Sequence, residues 1–302
     1  MKLILTVGVP ASGKTTWAEE YCRLNQNTVN INRDDTRQAL FGPFKPGEYL
    51  YKKADEALVT KANKDKALVA LGRGQDVIIS DTNLTPDRRQ VWESIAEQYD
   101  AEYEMRLFHI SFDEASRRDQ AREMKVGNKV LQNMFKTYHS QNRDLIVADF
   151  KLKLENTWVI NDKPCVLSDI DGTVAEMHKG QPGKRSPFEW LRVGEDTPRP
   201  NVLNVLRLLS EEYPIIFISG RDGVCVHQTS DWLGHYAEYY ETLVMRGAGD
   251  SRPDWVIKLE LLRDLALDGW SKPTIMFDDR DQVVNTMRDV GIEVFQVQPG
   301  NF

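Results

Sequence analysis

Leu3-Ile4-Leu5-Thr6-Val7-Gly8-Val9-Pro10-Ala11-Ser12-Gly13-Lys14-Thr15 runs from an apolar strand through a glycine turn into the start of a helix. Its last eight residues match GxxxxGK[ST] in the strand-to-helix context that this pattern requires. The glycines let backbone amides turn inward around phosphates, and a helix N-terminus adds positive potential. Lys14 then reaches the β and γ oxygens of a nucleotide, and Thr15 offers a hydroxyl to magnesium. Gly8, Ala11, Ser12, Gly13, Lys14, Thr15 and Thr16 are the expected ATP-binding residues. A glycine turn with an incidental lysine is the structural alternative, and four specified positions with the correct flanks weigh against it.

Outward from this segment, strand and helix signals alternate along the chain without internal repeats, which predicts an α/β fold with parallel sheets, twice over. In the first half, strands are expected over 3–7, 28–31, 76–80 and 103–110, and helices over 14–25, 34–41, 48–72, 86–99, 113–125 and 130–145. Thr85-Pro86 is a good helix start, because proline at the first helical position lacks only an amide that would be orphaned anyway. Strands of the second half are expected over 165–168, 214–218, 242–245, 273–277 and 293–297. At 302 residues, 41% of them apolar, the chain exceeds the length at which single cores stop growing. Two domains are expected, 1–160 and 161–302, divided at the polar stretch Asn161-Asp162-Lys163-Pro164. Residues 176–200, rich in Pro, Gly and charge, read either as an insertion over the second site or as an ordinary surface loop.

Composition narrows the class of protein. The longest apolar runs, such as Leu3 to Val7 and Ile215 to Ile218, fall far short of the roughly 18 residues of a membrane span, so a soluble protein is expected. Cys22, Cys165 and Cys225 are odd in number and form no CxxC pair, which argues against a zinc site and fits a reducing cytosol. Net charge is −7, but residues 1–150 carry 22 basic and 22 acidic side chains, so the excess lies in the second half. That balance argues against coating of long duplexes and for contact with a few phosphates near an end.

A P-loop does not name its acceptor. Asn32-Arg33-Asp34-Asp35-Thr36-Arg37 follows the second strand, and there Asp34 can receive a hydroxyl proton while Arg37 holds the acceptor. Asp34 or Asp35 can instead cap the helix. Arg118 and Arg122, four residues apart, would share one helical face and clamp donor phosphates, or else belong to an exposed salt-bridged helix. Ile78-Ile79-Ser80-Asp81 ends a strand in an acid, so Asp81 either serves magnesium as a Walker B residue or orients Arg37.

In Val166-Leu167-Ser168-Asp169-Ile170-Asp171-Gly172-Thr173, the strand period of two points Asp169 and Asp171 the same way. One carboxylate can attack phosphorus while the other protonates the leaving oxygen. DxDGT after an apolar strand resembles the haloacid dehalogenase phosphatase superfamily, and three further segments match its scheme in order: Ile218-Ser219-Gly220-Arg221, Lys258, and Phe277-Asp278-Asp279-Arg280. Ser219 and Lys258 would hold phosphoryl oxygens, and Asp278 and Asp279 would complete a metal site with Asp169 and Asp171. Lys258 can alternatively pair with Asp254 on an exposed helix.

Taken together, GVPASGKTTWA at 8–18, NINRDDTRQ at 30–38, IISDTNLTPDRR at 78–89, DIDGTVAEM at 169–177, ISGRD at 218–222 and FDDRDQVV at 277–284 resemble the bacteriophage polynucleotide kinase-phosphatase family over nearly the full length. The resemblance implies a P-loop kinase followed by a Rossmann-like phosphatase, which use ATP and magnesium on RNA and DNA ends. It makes Asp34 the general base, Arg37 the reader of the phosphate beside the acceptor, Asp81 the support of that pocket, and Arg118 with Arg122 the donor clamp. Asp169 becomes the nucleophile and Asp171 the acid/base, with Arg185, Arg221, Asp254 and Lys258 in substrate binding and phosphate positioning. Coupling to a nucleic-acid ligase, a homotetramer and a cytoplasmic location, the host's if phage-encoded, are implied as well. A metabolic kinase fused to a small-molecule phosphatase is the rival reading, since it needs the same P-loop and aspartates.

Overall fold

A computed structural model describes residues 1–43, 51–159, 164–178 and 181–300, and the chain forms two compact units, Met1–Arg143 and Asp144–Phe302. In the first, β1 (Lys2–Val7) lies between β3 (Asp76–Ile79) and β4 (Glu102–Leu107), with β2 (Thr28–Ile31) beyond β3, all parallel. Five of the six β1 residues are buried, because a parallel sheet is covered on both faces. Leu3 and Leu5 face α3 (Lys53–Gly72) and α4 (Pro86–Gln98), packing with Ala67, Leu71, Trp92 and Ile95. Ile4 points the other way, onto Ala18 and Trp17 of α1 (Lys14–Leu24). The period of two in one short strand thus fills both cores. Helices α2 (Arg33–Phe41), α5 (Phe112–Gln120) and α6 (Asn128–Gln141) complete this unit.

Helix α7 (Arg143–Glu155) belongs to the second unit, where Arg263 lies over the Phe150 ring. There β5 (Val166–Ser168) is the central strand of a parallel sheet. Between β5 and the next sheet strand, the chain makes a two-stranded flap of β6 (Ala175–Glu176) and β7 (Thr197–Pro198) and then α8 (Pro200–Leu209). Strand β8 (Ile215–Ser219) flanks β5 on one side with β9 (Tyr240–Met245) outside it, and β10 (Ile275–Asp278) flanks it on the other with β11 (Val294–Gln296) outside. Helices α9 (Val226–Tyr236), α10 (Asp254–Leu267) and α11 (Asp281–Asp289) cover the sheet. In both sheets the chemistry-bearing segments leave the carboxyl ends of the central strands, where open α/β sheets bind ligands.

The α/β architecture expected from the sequence is present twice, with local departures. The helix expected over 113–125 ends at Gln120, because the Asp119 carboxylate accepts hydrogen bonds from the amides of Val126 and Gly127 and folds the chain back. Arg118 and Arg122 therefore do not share a helical face. The helix expected over 130–145 divides at Asn142, whose side chain donates to the carbonyls of Tyr138 and Leu84 and accepts from Arg89. The polar boundary residues 161–163, the first turn of the helix expected from 48, and residues 179–180 of the 176–200 segment lie outside the described residues.

Helix α2 is capped by neither Asp34 nor Asp35. Asn32 accepts from the Asp35 amide at 2.8 Å and donates to the Asp35 carboxylate at 2.7 Å, a reciprocal cap that leaves Asp34 outside it. Asn32→Ala is expected to cost about 1 kcal/mol of the first unit's stability, read as a lower urea midpoint at unchanged slope.

Candidate active sites

At the carboxyl end of β1 the chain turns tightly: a Cβ on Gly8 would lie 2.8 Å from the Phe108 carbonyl, so only glycine fits there. Gly13 enters α1 with φ 94°, and Ala11 also takes positive φ, at 64°. Such backbone strain in a non-glycine residue is held only where the surroundings over-determine it. Lys14 is buried, and its ammonium donates to the Val9 carbonyl at 2.6 Å and the Ser12 hydroxyl at 3.2 Å. Thr15 and Thr16 are exposed in the first turn. Burial lowers the Lys14 pKa to about 7; Arg122 pushes the same way, and Asp81 and Asp34 oppose them. Arg118 donates to the Ala11 carbonyl at 3.4 Å and to Glu114 at 2.6 Å. Both arginines thus attend the P-loop, one from α5 and one from the loop after it.

Beside the P-loop, the Arg37 guanidinium donates to Asp34 at 2.5 Å and in a fork to Glu56 at 2.8 and 3.0 Å. The Asp34 side chain is 78% exposed, open to an acceptor despite that pairing. Glu56 also holds Arg33, and no motif in the sequence singles it out. Asp81 accepts from the Arg33 amide at 2.8 Å, so it steadies the first turn of α2 and reaches Arg37 only through its field. Burial raises the Asp81 pKa to about 6.

The second site gathers at the carboxyl end of β5. Asp169, Asp278 and Asp279 are buried, with carboxylate oxygens within 4.8 Å of one another. The Lys258 ammonium, equally buried, donates to Asp169 and Asp278 at 2.7 Å each; Asp254, its helical neighbour, lies farther off at 3.6 Å. Lys258 is therefore no exposed helix lysine. Burial raises the Asp169 pKa well above the ordinary carboxylate range, Lys258 opposing and Asp278 and Asp279 reinforcing. Burial also raises Asp279. Three buried carboxylates around one lysine leave negative charge uncompensated, and all-oxygen donors suit a hard divalent cation. The residues fit the metal that the sequence implied.

Asp171 differs from its expected place among the metal ligands. Its carboxylate accepts from Arg221 at 2.7 and 3.0 Å and from Arg185 at 3.2 Å, which draws it out of the acidic trio. Burial would raise its pKa, but the charge and hydrogen bonds of Arg221, with Arg185, outweigh that and leave it below the usual range. Asp196 is the partner the sequence reading missed. It accepts from Arg185 at 2.6 and 2.7 Å and from Arg221 at 2.7 Å, and it stands outside every motif of the chain. Ser219 accepts from the Arg221 amide at 3.2 Å, and Asp254 is paired with Arg246 at 3.3 Å. The 176–200 segment is thus part of the site through Arg185 and Asp196, not a plain surface loop.

A P-loop nucleotide-handling unit followed by an aspartate phosphatase unit defines the class. Residues 3–141 match the family described as AAA domain, and residues 163–302 match the polynucleotide kinase PNKP phosphatase domain. Residues 163–302 are thus similar to a polynucleotide kinase phosphatase domain and residues 3–141 to a P-loop domain of the AAA type, and the chain as a whole resembles a polynucleotide kinase-phosphatase. It is similar to a candidate bifunctional polynucleotide kinase/RNA ligase of Autographa californica nuclear polyhedrosis virus, 29% identical over 98% of this chain, and it spans 42% of that relative's length. Among solved structures, chains of the Pnkp1/Rnl/Hen1 RNA repair complex align over 100% of this chain and 97% of theirs, at 24 and 26% identity and TM-scores of 0.42 and 0.43. Among the described residues no helix is long and apolar enough to cross a membrane.

The depressed Lys14 pKa of about 7 has a measurable consequence. Phosphate oxygens beside the ammonium favour its charged form, so the bound state holds more protons than the free one above pH 7. Nucleotide binding near pH 8 is expected to take up about one proton, and affinity to fall with rising pH by up to about tenfold per unit. Calorimetric titrations in two buffers of different ionisation enthalpy measure this uptake; none in wild type, or the same in Lys14→Met, would contradict it.

Proposed function

We propose that the chain heals nucleic-acid ends, the first unit, Met1–Arg143, phosphorylating a 5′-hydroxyl with ATP and magnesium and the second, Asp144–Phe302, removing a 3′-phosphate. The observation that carries this reading is the open Asp34 carboxylate bound to Arg37 within electrostatic reach of Lys14. Asp34 takes the proton of the 5′-hydroxyl as that oxygen attacks the γ-phosphorus, and Arg37, held by Glu56, receives the neighbouring phosphate of the strand. Lys14, Arg118 and Arg122 balance charge on the transferring phosphoryl group, with the P-loop amides and the Ser12, Thr15 and Thr16 region around the donor. Asp81 keeps the first turn of α2 in place.

In the second unit, Asp169 attacks phosphorus, forming an acyl phosphate as the bond to the 3′-oxygen breaks. Asp171 gives that oxygen its proton and later takes one from the water that hydrolyses the intermediate. Asp278 and Asp279 with Asp169 would hold the divalent cation, which supplies charge neutralisation at the phosphate. Ser219 and Lys258 hold phosphoryl oxygens, and Asp254 and Arg185 keep the binding groups in register. RNA and DNA ends are the substrates, with a ligase acting next. A cytoplasmic homotetramer is the form proposed. Arg37 beside the acceptor base favours a phosphate-bearing strand over an uncharged small-molecule acceptor.

Three substitutions test these assignments. Lys14→Ala should abolish transfer from ATP to 5′-hydroxyl oligonucleotides and leave 3′-phosphatase activity near wild type; loss of both in folded protein would sink the two-site reading. Arg37→Ala should lower the acceptor's kcat/KM by about 10- to 150-fold, the worth of an arginine–phosphate contact, while the ATP KM changes little. Sugars or nucleosides accepted better than oligonucleotides would favour the metabolic alternative. Asp171→Asn should slow a 3′-phosphorylated oligonucleotide by about 10²- to 10⁴-fold yet spare formation of the phospho-enzyme from p-nitrophenyl phosphate, whose leaving group needs little protonation.

A further inference from the structure

The three acidic side chains of the second site are held unequally. Asp169 and Asp278 share the Lys258 ammonium, and Asp278 also accepts from the Arg280 amide at 2.9 Å. Asp279 has no share in either. Among the described residues its carboxylate accepts a hydrogen bond from one side chain, the Gln298 amide, at 3.5 Å. That amide also donates to the Gly172 carbonyl at 3.4 Å, and Gly172 itself presses on the same carboxylate: a Cβ there would lie 2.0 Å from Asp279 Oδ2. With φ 79°, Gly172 could not easily carry one in any case.

The Gln298 amide cannot turn round. Its oxygen accepts from Arg199 at 2.9 Å, and a guanidinium offers only donors, so the NH₂ must face the two acceptors, Asp279 and Gly172. Arg199 is fixed in turn, its amide donating to the Val174 carbonyl at 2.8 Å at the foot of the flap. The end of β11 and the bend after it, which carries Gln298, are anchored to the acidic loop as well: Val297 donates to the Asp278 carbonyl at 3.0 Å, and Gln296 to the Asp279 carbonyl at 3.0 Å and to Asp281 at 2.6 Å.

We propose that Gln298, oriented by Arg199, is a positioning residue that sets the Asp279 carboxylate for the divalent cation of the phosphatase site. The inference rests on the proposed metal role of Asp169, Asp278 and Asp279. Nothing in the local sequence marks Gln298, which stands outside every motif of the chain. Hydrogen bonds of this kind to a ligating carboxylate commonly change metal affinity by about 10- to 100-fold, and the long distance here points to the lower end.

Mn²⁺ titration of the full chain, followed by electron paramagnetic resonance without nucleotide, reads the affinity apart from turnover. Asp169→Asn identifies the signal of the acidic site. Gln298→Ala and Gln298→Met, the second keeping length and packing but offering no donor, should each weaken that binding about 10-fold at an unchanged melting temperature. Arg199→Ala, which frees the amide to flip, should weaken it less. Wild-type Mn²⁺ affinity in both Gln298 variants, or a fall in melting temperature without a fall in affinity, would overturn the proposal. Should no Mn²⁺ binding depend on Asp169 at all, the metal reading beneath it fails first, and the two failures are distinguishable.

Discussion

Lys258 keeps its ammonium in the interior, 2.7 Å from both Asp169 and Asp278, and the second unit is arranged around balancing that charge. Three strands and a helix converge on it: β5 delivers Asp169, β10 delivers Asp278, β8 leads to Ser219 and Arg221, and α10 contributes Lys258 itself. Burial alone would drive the lysine to its neutral form, but the surrounding carboxylates reverse this and raise its pKa. Removing one member of such a group leaves the others buried without compensation, a penalty of about 3–5 kcal/mol. Register in the central sheet is therefore as much a condition of charge balance as of packing.

Lys14 is buried to a similar degree and meets the opposite fate. Its hydrogen-bond partners are a carbonyl and a hydroxyl, burial and the charge of Arg122 both disfavour the ammonium, and its pKa falls to about 7. Neutral acceptors cannot hold an ammonium as carboxylates do. The first site is thus short of negative charge and the second has an excess of it, which suits a polyphosphate in one and a cation with a phosphate in the other. The near-neutral sum over residues 1–150 hides this contrast, because paired surface charges cancel in the count.

Much of this was legible in the sequence where chemistry and backbone conformation are encoded together. Gly8 to Thr15 announces both a turn and a phosphate cradle, and Asp169 with Asp171 sits at a strand end that also fixes their direction. What escaped depends on contacts distant in the chain. Glu56 reaches Arg37 across 19 residues and Asp196 reaches Arg221 across 25, with no local pattern to mark either. The α5 terminus was missed for a related reason: Asp119 ends the helix by binding amides seven and eight residues ahead, a loop closure invisible to periodicity.

Asp169 and Asp171 look interchangeable in the sequence, two residues apart and both facing one pocket, yet the structure drives them in opposite directions. Burial among other acids raises Asp169, whereas the Arg221 fork, with the charge of Arg185, outweighs burial and lowers Asp171. Separate environments commonly mark distinct chemical roles, and a divalent cation held by Asp169, Asp278 and Asp279 would favour the ionised form of Asp169 that the proposed attack on phosphorus requires. Asp196 makes the separation possible, because without its charge the two buried guanidinium groups would repel each other across the single Asp171 carboxylate. In the proposed reaction an arriving phosphate dianion would bring negative charge into this pocket and favour protonation of the carboxyl group. The resting site therefore holds Asp171 as a carboxylate, and substrate charge would supply the field that shifts it toward the acid that the proposed reaction requires at the leaving oxygen.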